Sequence, residues 1–286
     1  TLLIGVGCIS LILGVIPAWL ITMYKFPMSR YLEWALLLPM SMPAYIIAYS
    51  YTGAFDASGP IQEAIRDLTG WGYNDYWFPE VRSLGGAVAM LSFVLYPYIY
   101  LLSRASFIEQ SVCVLEVSRT LGCNTIGSFT RVALPLARPA IIVGLSLVLM
   151  ETLADYGTVQ YFGVSAFTTG IFRTWFGFGD SNAAAHLAAM LMVAVFVFFI
   201  LERWSRKKAR YTDKARGRRG LLRESLGKKT SFLVFCLCFF TVFFGFILPA
   251  GQLLYWSFLT AGSMVNKDFF VITANTLLLA AITSVI

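Results

Sequence analysis

The acids Glu151 and Asp155 stand four residues apart in a largely apolar run, and Tyr156 and Tyr161 follow closely. On a helix that spacing puts both carboxylates on one face. All four side chains offer oxygen, the donor class that suits hard cations rather than soft ones. A carboxylate inside a bilayer costs about 2.5–3.5 kcal/mol on insertion scales and is kept mainly where it faces a bundle interior or a wet cavity. Two roles fit these acids: direct contact with a cation, or hydrogen bonding to neighbouring helices and capping of a break before Gly157. The spacing leaves both open.

A second group of residues carries no reactive chemistry but has a shape. Glu116-Val117-Ser118-Arg119-Thr120-Leu121-Gly122 is followed by nine residues and then Val132-Ala133-Leu134-Pro135. The stretch reads as two short amphipathic helices hinged at Gly122, where a left-handed C-cap is open to glycine. Pro135 is expected to end the second piece before the chain re-enters the membrane at Arg138-Pro139. Such an element makes a knob for a soluble partner.

Other chemistries are excluded. The single histidine, His186, lies in an alanine-rich helix, so no Ser/His/Asp or Cys/His triad can be assembled around it. The five cysteines form no Cys-x-x-Cys pair, which argues against a zinc site or a disulfide framework. Gly227-Lys228-Lys229-Thr230 resembles the tail of a phosphate-binding loop, but the upstream glycine is missing and Lys229 displaces the required hydroxyl. The chain is therefore expected to bind no ATP and no resident cofactor. The nine methionines are scattered, so no soft-metal relay is expected. Pro39 and Pro43 are expected to kink a helix for packing.

The elements that must position these residues follow from composition. Of 286 residues, 58% are hydrophobic and only 13% charged, about half the charge of an average soluble domain. One core cannot bury that much apolar surface, so the chain is read as an all-α, polytopic transmembrane bundle. About 20 apolar residues cross a bilayer. Spans are predicted over Thr1–Met23, Glu33–Ala54, Leu84–Leu102, Ala140–Phe162, Ala183–Leu201 and Ser231–Phe258, with a seventh opening near Thr273. Twelve of the 22 basic residues fall between Leu201 and Thr230. With that stretch on the cytoplasmic side, alternation puts Lys25, Arg30, Arg104, Arg119, Arg131 and Arg138 there too, leaving four basic residues outside. The net charge of +7 is thereby explained by topology, and no nucleic-acid partner is expected. The outer segment Asp56–Glu80, with Trp71, Tyr73, Tyr76 and Trp77, is predicted to hold a short helix after Gly59-Pro60 at the outer leaflet.

On these motifs the chain resembles the permeases of type I ATP-binding-cassette importers. Glu116, Gly122, Leu134 and Pro135 match the "EAA" loop of that family, with Val117-Ser118 in place of two alanines and Val132 in place of isoleucine. The run from Met150 through Phe176, and Leu38-Pro39-Met40-Ser41-Met42-Pro43-Ala44-Tyr45, are similar to permeases of bacterial ferric-iron importers. The resemblance implies that the loop docks on a cytoplasmic ATPase, in two copies, so that Glu116, Gly122, Leu134 and Pro135 couple ATP hydrolysis in a separate chain to transport. It implies a periplasmic or lipid-anchored iron-binding protein as second partner and Fe(III) as cargo in the bacterial inner membrane. Glu151 and Asp155 are the expected transient Fe(III) contacts, with Tyr156 beside them on the pathway.

The resemblance also implies a protein of two halves and about twelve spans. Thr1-Leu2-Leu3-Ile4 is echoed 275 residues later by Thr276-Leu277-Leu278-Leu279, as two homologous halves would give. The expected organisation is a first core over residues 1–204 with its coupling loop at 103–139, a basic linker over 205–230, and the truncated start of a second half over 231–286. A thiamine or polyamine importer of the same architecture is the alternative, and a secondary transporter is a more distant one. The acids disfavour an oxyanion, since like charges repel.

Overall fold

The computed structural model describes residues 1–73, 75–110, 125–207 and 223–285. Long apolar helices dominate it because a backbone in hydrocarbon must satisfy its own polar groups. They are α1 (Leu2–Met23), α2 (Ser29–Ala35), α3 (Ala44–Phe55), α4 (Pro60–Thr69), α5 (Leu84–Glu109), α6 (Leu134–Ala154), α7 (Gly157–Tyr161), α8 (Phe167–Phe172), α9 (Ser181–Lys207), α10 (Lys228–Val242), α11 (Leu248–Met264) and α12 (Lys267–Val285). Among the described residues, six helical stretches are long and apolar enough to cross a membrane, and a bent pair makes a seventh. The chain is thus an all-α multi-pass membrane bundle.

Two expected spans are broken. The stretch predicted as one span over Glu33–Ala54 is instead α2, a 3-10 turn at Leu38–Ser41 and α3, bent by 96°. Pro43 has no N–H to donate and disfavours helical backbone at the residue before it. Met42 accordingly sits at φ −115°, ψ 131°. The span predicted over Ala140–Phe162 stops at Ala154, and Asp155 turns to ψ 127°. Acid spacing therefore does not put Glu151 and Asp155 on one helix face.

Pro135 does not end a helix. A short helical turn (Thr125–Ser128) and a π-turn (Phe129–Ala133) run into α6 without interruption. Leu134 N–H donates to the Phe129 carbonyl, five residues back. A wide turn costs no hydrogen bond at a residue that has none to give. The same device recurs between α10 and α11, where a π-turn at Phe243–Ile247 precedes Leu248-Pro249 and Leu248 N–H donates to the Phe243 carbonyl. Both sites read Phe-x4-Leu-Pro in the sequence.

The centre of the bundle is the crossing of α1, α5 and α6. A Cβ on Gly14 would lie 2.7 Å from Ile99 Cβ, and one on Gly144 would lie 2.8 Å from Ile99 Cα. Glycine lets the three backbones close around Ile99, the usual route to tight packing where no hydrophobic effect drives helices together. Below it Trp19 packs on Phe107 and Phe129 with centroids 5.3 and 5.2 Å apart.

The segment after the basic stretch packs back on this bundle. The short strands β1 (Tyr24–Lys25) and β2 (Glu224–Ser225) pair in parallel, so two loops that charge places on one side do lie together. Further along, Pro249, next in the π-turn's register, cannot serve the Phe244 carbonyl, and the Tyr51 hydroxyl donates to it instead. Ser50 Oγ donates to the Pro249 carbonyl at 3.0 Å. A Cβ on Gly53 would lie 2.2 Å from Trp256 Cη2, so the indole seats directly on α3.

Candidate functional site

The two helix breaks meet. Gly157, the first residue of α7, would bring a Cβ within 3.3 Å of Tyr45 Cδ2 on the first turn of α3. Tyr161 then packs edge-on against Tyr45 and Tyr49, with centroids 5.7 and 6.0 Å apart. Its hydroxyl lies 2.9 Å from Thr52 Oγ1, and the Arg82 guanidinium carbon stands 5.3 Å from its ring centre. Tyr49 also meets Trp256 at 5.3 Å. The result is an aromatic seam from α7 across α3 to α11, with Tyr45 and Tyr49 each about half exposed.

The break after α6 is held by Asp155. Its N–H donates to the Glu151 carbonyl at 2.9 Å, and its carboxylate accepts from Val159 N–H at 3.0 Å. Its carbonyl accepts from the Thr168 hydroxyl at 2.8 Å. Asp155 thus caps α7, satisfying an amide that the first turn leaves without a helical partner. Glu151, on the last turn of α6, is exposed. Tyr156 is stacked on Phe172 of α8 at 4.0 Å. Among the described residues, no three of His, Cys, Asp and Glu converge to hold a metal ion.

On the side of the acidic segment, α4 is amphipathic and ends at Gly70 in left-handed conformation, φ 71°. Arg66 ties α4 to the chain on either side of it: it donates to the Ala57 carbonyl at 2.8 Å and the Tyr76 hydroxyl at 3.1 Å, and lies 4.2 Å over the Tyr73 ring. Tyr76 in turn donates to Gln62 Oε1 at 2.8 Å. Two cavities of about 530 and 540 Å³ flank this segment, the first lined by Thr52, Asp56, Gln62, Tyr76 and Glu80. Arg82 lines both.

Of the expected coupling residues, Glu116 and Gly122 lie outside the described residues. Leu134 and Pro135 follow the π-turn directly, and Leu134 packs against the buried core. The mouth of the loop is closed by Gln110, whose Nε2 donates to the Ala133 carbonyl at 3.0 Å. Sequence reasoning missed Arg66, Arg82, Gln110 and Glu33. The partners of Arg82, Gln110 and Glu33 lie in other segments, so local spacing holds no trace of them, while those of Arg66 lie within ten residues on either side of α4. The Phe-x4-Leu-Pro repeat was the one available signal for the π-turns.

Residues 10–211 match the family described as binding-protein-dependent transport system inner membrane component. The Fe(3+)-transport system permease protein FbpB 2 of Haemophilus influenzae is 26% identical over 88% of this chain and 45% of its own length. The molybdenum transport system permease protein ModB of Escherichia coli is 27% identical over 70% of this chain and 89% of its length. The sulfate transport system permease protein CysT of Salmonella typhimurium is 28% identical over 52% of this chain and 51% of its length. The chain thus spans about half the length of the iron and sulfate permeases it matches. A solved bacterial alginate ABC transporter, in complex with an alginate pentasaccharide-bound periplasmic protein, shares the fold at TM-score 0.56 and 16% identity, over 72% of this chain and 76% of the other.

Proposed function

The chain belongs to the family of binding-protein-dependent transport system inner membrane components, and from that premise we propose that it forms the membrane path of an ATP-driven ferric-iron importer. The observation that supports iron is the extent of the iron permease match, 88% of the chain, against 70% and 52% for the molybdenum and sulfate relatives at similar identity. In this reading a cytoplasmic ATPase, in two copies, engages the loop containing Glu116 and Gly122. Its closure is passed through Leu134 and Pro135 to α6, because the helix runs unbroken from Thr125 to Ala154. The far end of α6 is the break at Asp155, so a displacement at one end is delivered to the aromatic seam at the other.

Of the two acids, Glu151 is the pathway contact, since its carboxylate is exposed while that of Asp155 already accepts from Val159. Asp155 and Tyr156 line the path through the shape of the break they form. A periplasmic or lipid-anchored iron-binding protein delivers Fe(III) from the side of the acidic segment. An oxyanion importer is the second reading. It draws on the molybdenum and sulfate relatives and on Arg82, a cation that lines both outer cavities and makes no ion pair among the described residues.

The test uses the full-length permease with its ATPase and binding protein in proteoliposomes, supplied with radiolabelled Fe(III), molybdate or sulfate. ATP-dependent iron uptake that falls in Glu151→Gln with ATP hydrolysis retained is the expected result. Uptake of molybdate or sulfate without iron overturns the cargo. Failure of any ATPase to co-purify overturns the importer.

A further inference from the structure

Glu33 joins three segments that are distant in the chain. One carboxylate oxygen takes Arg104 Nη2 of α5. The other takes Arg223 Nη2, beside β2, at 2.8 Å. The backbone carbonyl of Glu33 accepts from the Tyr100 hydroxyl at 3.0 Å. The carboxylate is mostly buried, with 14% of its side chain exposed, and the two guanidinium side chains are 21% and 27% exposed. The parallel pairing of Tyr24–Lys25 with Glu224–Ser225 holds the same strap against the bundle from the other side of Arg223.

The position of this junction gives it a consequence. Arg104 lies six residues before Gln110, about 9 Å along the helix. Gln110 is where α5 ends and the loop toward Pro135 begins, its amide pinned to the π-turn at Ala133. Arg223 lies at the end of the basic linker, five residues before α10. One carboxylate therefore ties the base of the loop to the strap that leads into the following spans. A carboxylate that takes one guanidinium on each oxygen at low exposure is directional, and neither arm can slide without breaking a charge-assisted bond. Removing it would leave two cations facing each other at reduced exposure.

We infer that Glu33 is a positioning residue for coupling: it locks the base of the loop to the linker, so that the first bundle and the segment from Lys228 onward move together when the ATPase closes. This rests on the importer reading above. It does not depend on the cargo.

The experiment is therefore independent of cargo. The full-length permease with its ATPase is placed in proteoliposomes, with native cysteines replaced and Val265→Cys introduced as a reporter at the exposed end of α11, in the segment that follows the linker. Labelling of that cysteine by a membrane-impermeant maleimide is followed with and without vanadate-trapped nucleotide, alongside ATP hydrolysis. With Glu33 intact, trapping is expected to change the labelling rate at least about fivefold. In Glu33→Gln the ATPase stays bound and hydrolyses ATP while the labelling change is lost, and Glu33→Asp restores part of it. Arg223→Gln cuts only the linker arm, and it carries the same expectation should Glu33→Gln fail to reach the membrane. A normal labelling change in Glu33→Gln or Arg223→Gln overturns the inference. An intact-Glu33 permease that retains no ATPase overturns the importer reading first, and this inference with it.

Discussion

Gly53→Ala tests the joint between α3 and α11 through two opposed effects of known size. Replacing a glycine in a helix by alanine gains about 0.5–1 kcal/mol from backbone entropy. The new methyl, however, would stand 2.2 Å from Trp256 Cη2 and 2.4 Å from Cζ2, where carbon atoms are normally about 3.5–4.0 Å apart. The indole must withdraw by more than about 1 Å, and overpacking on that scale costs about 1–3 kcal/mol. The clash wins at the middle of both ranges, and the variant is expected to lose about 1 kcal/mol net. The obstruction is a side chain and not backbone, so it can be relieved. In a Trp256→Leu background, Gly53→Ala is expected to change sign and stabilise by about 0.5–1 kcal/mol. The assay is reversible unfolding of the four proteins of the cycle in mixed micelles of rising denaturing-detergent fraction, which isolates the coupling between the two positions. The reasoning is refuted by a Gly53→Ala protein as stable as the parent, or by an equal loss in both backgrounds.

Three further outcomes rest on the same kind of contact. Tyr51→Phe leaves the Phe244 carbonyl without a donor that Pro249 can replace and is expected to cost about 1–2 kcal/mol in the same unfolding assay; no measurable loss would mean that the carbonyl finds another partner. Asp155→Ala removes the cap on Val159 and should cost about 1 kcal/mol. Asp155→Asn keeps an acceptor oxygen and should cost less, and Glu151→Gln should leave stability within about 0.5 kcal/mol of the parent; equal losses in all three would contradict the distinct placement of the two acids. Arg66→Ala takes away the contacts to Ala57, Tyr76 and Tyr73 together. It should raise protease cleavage in the segment around Trp71–Arg82 on the order of tenfold, measured on sealed vesicles against a cut site elsewhere.

Composition and charge determined the class of this protein because both are summed over many residues and survive any error in detail. Low charge and runs of about 20 apolar residues leave only a membrane bundle, and five predicted spans correspond to unbroken or nearly unbroken apolar helices. The spacing from Glu116 to Pro135, read as a resemblance, led to the family that residues 10–211 match. Even the start of the short helix α4 was legible, because Gly59-Pro60 marks it, while its end at Gly70 came from the structure. Spacing could not decide the effect of the helix breakers. Pro43 snaps a span through 96°, whereas Pro135 and Pro249 are absorbed into continuous helices by π-turns. A missing N–H is the same local fact in all three, and the outcome is set by neighbours: Tyr51 serves the Phe244 carbonyl that Pro249 cannot, and a Cβ on Gly245 would lie 2.9 Å from Pro39 Cγ, so glycine lets that turn pack there. The pairing of acids was undecidable for a related reason. Helical periodicity places Glu151 beside Asp155 only while the helix lasts, and it ends at Ala154. Glu33 and Arg82 carried no local signature at all, because their partners come from segments up to 190 residues away, and only the folded chain brings those segments together.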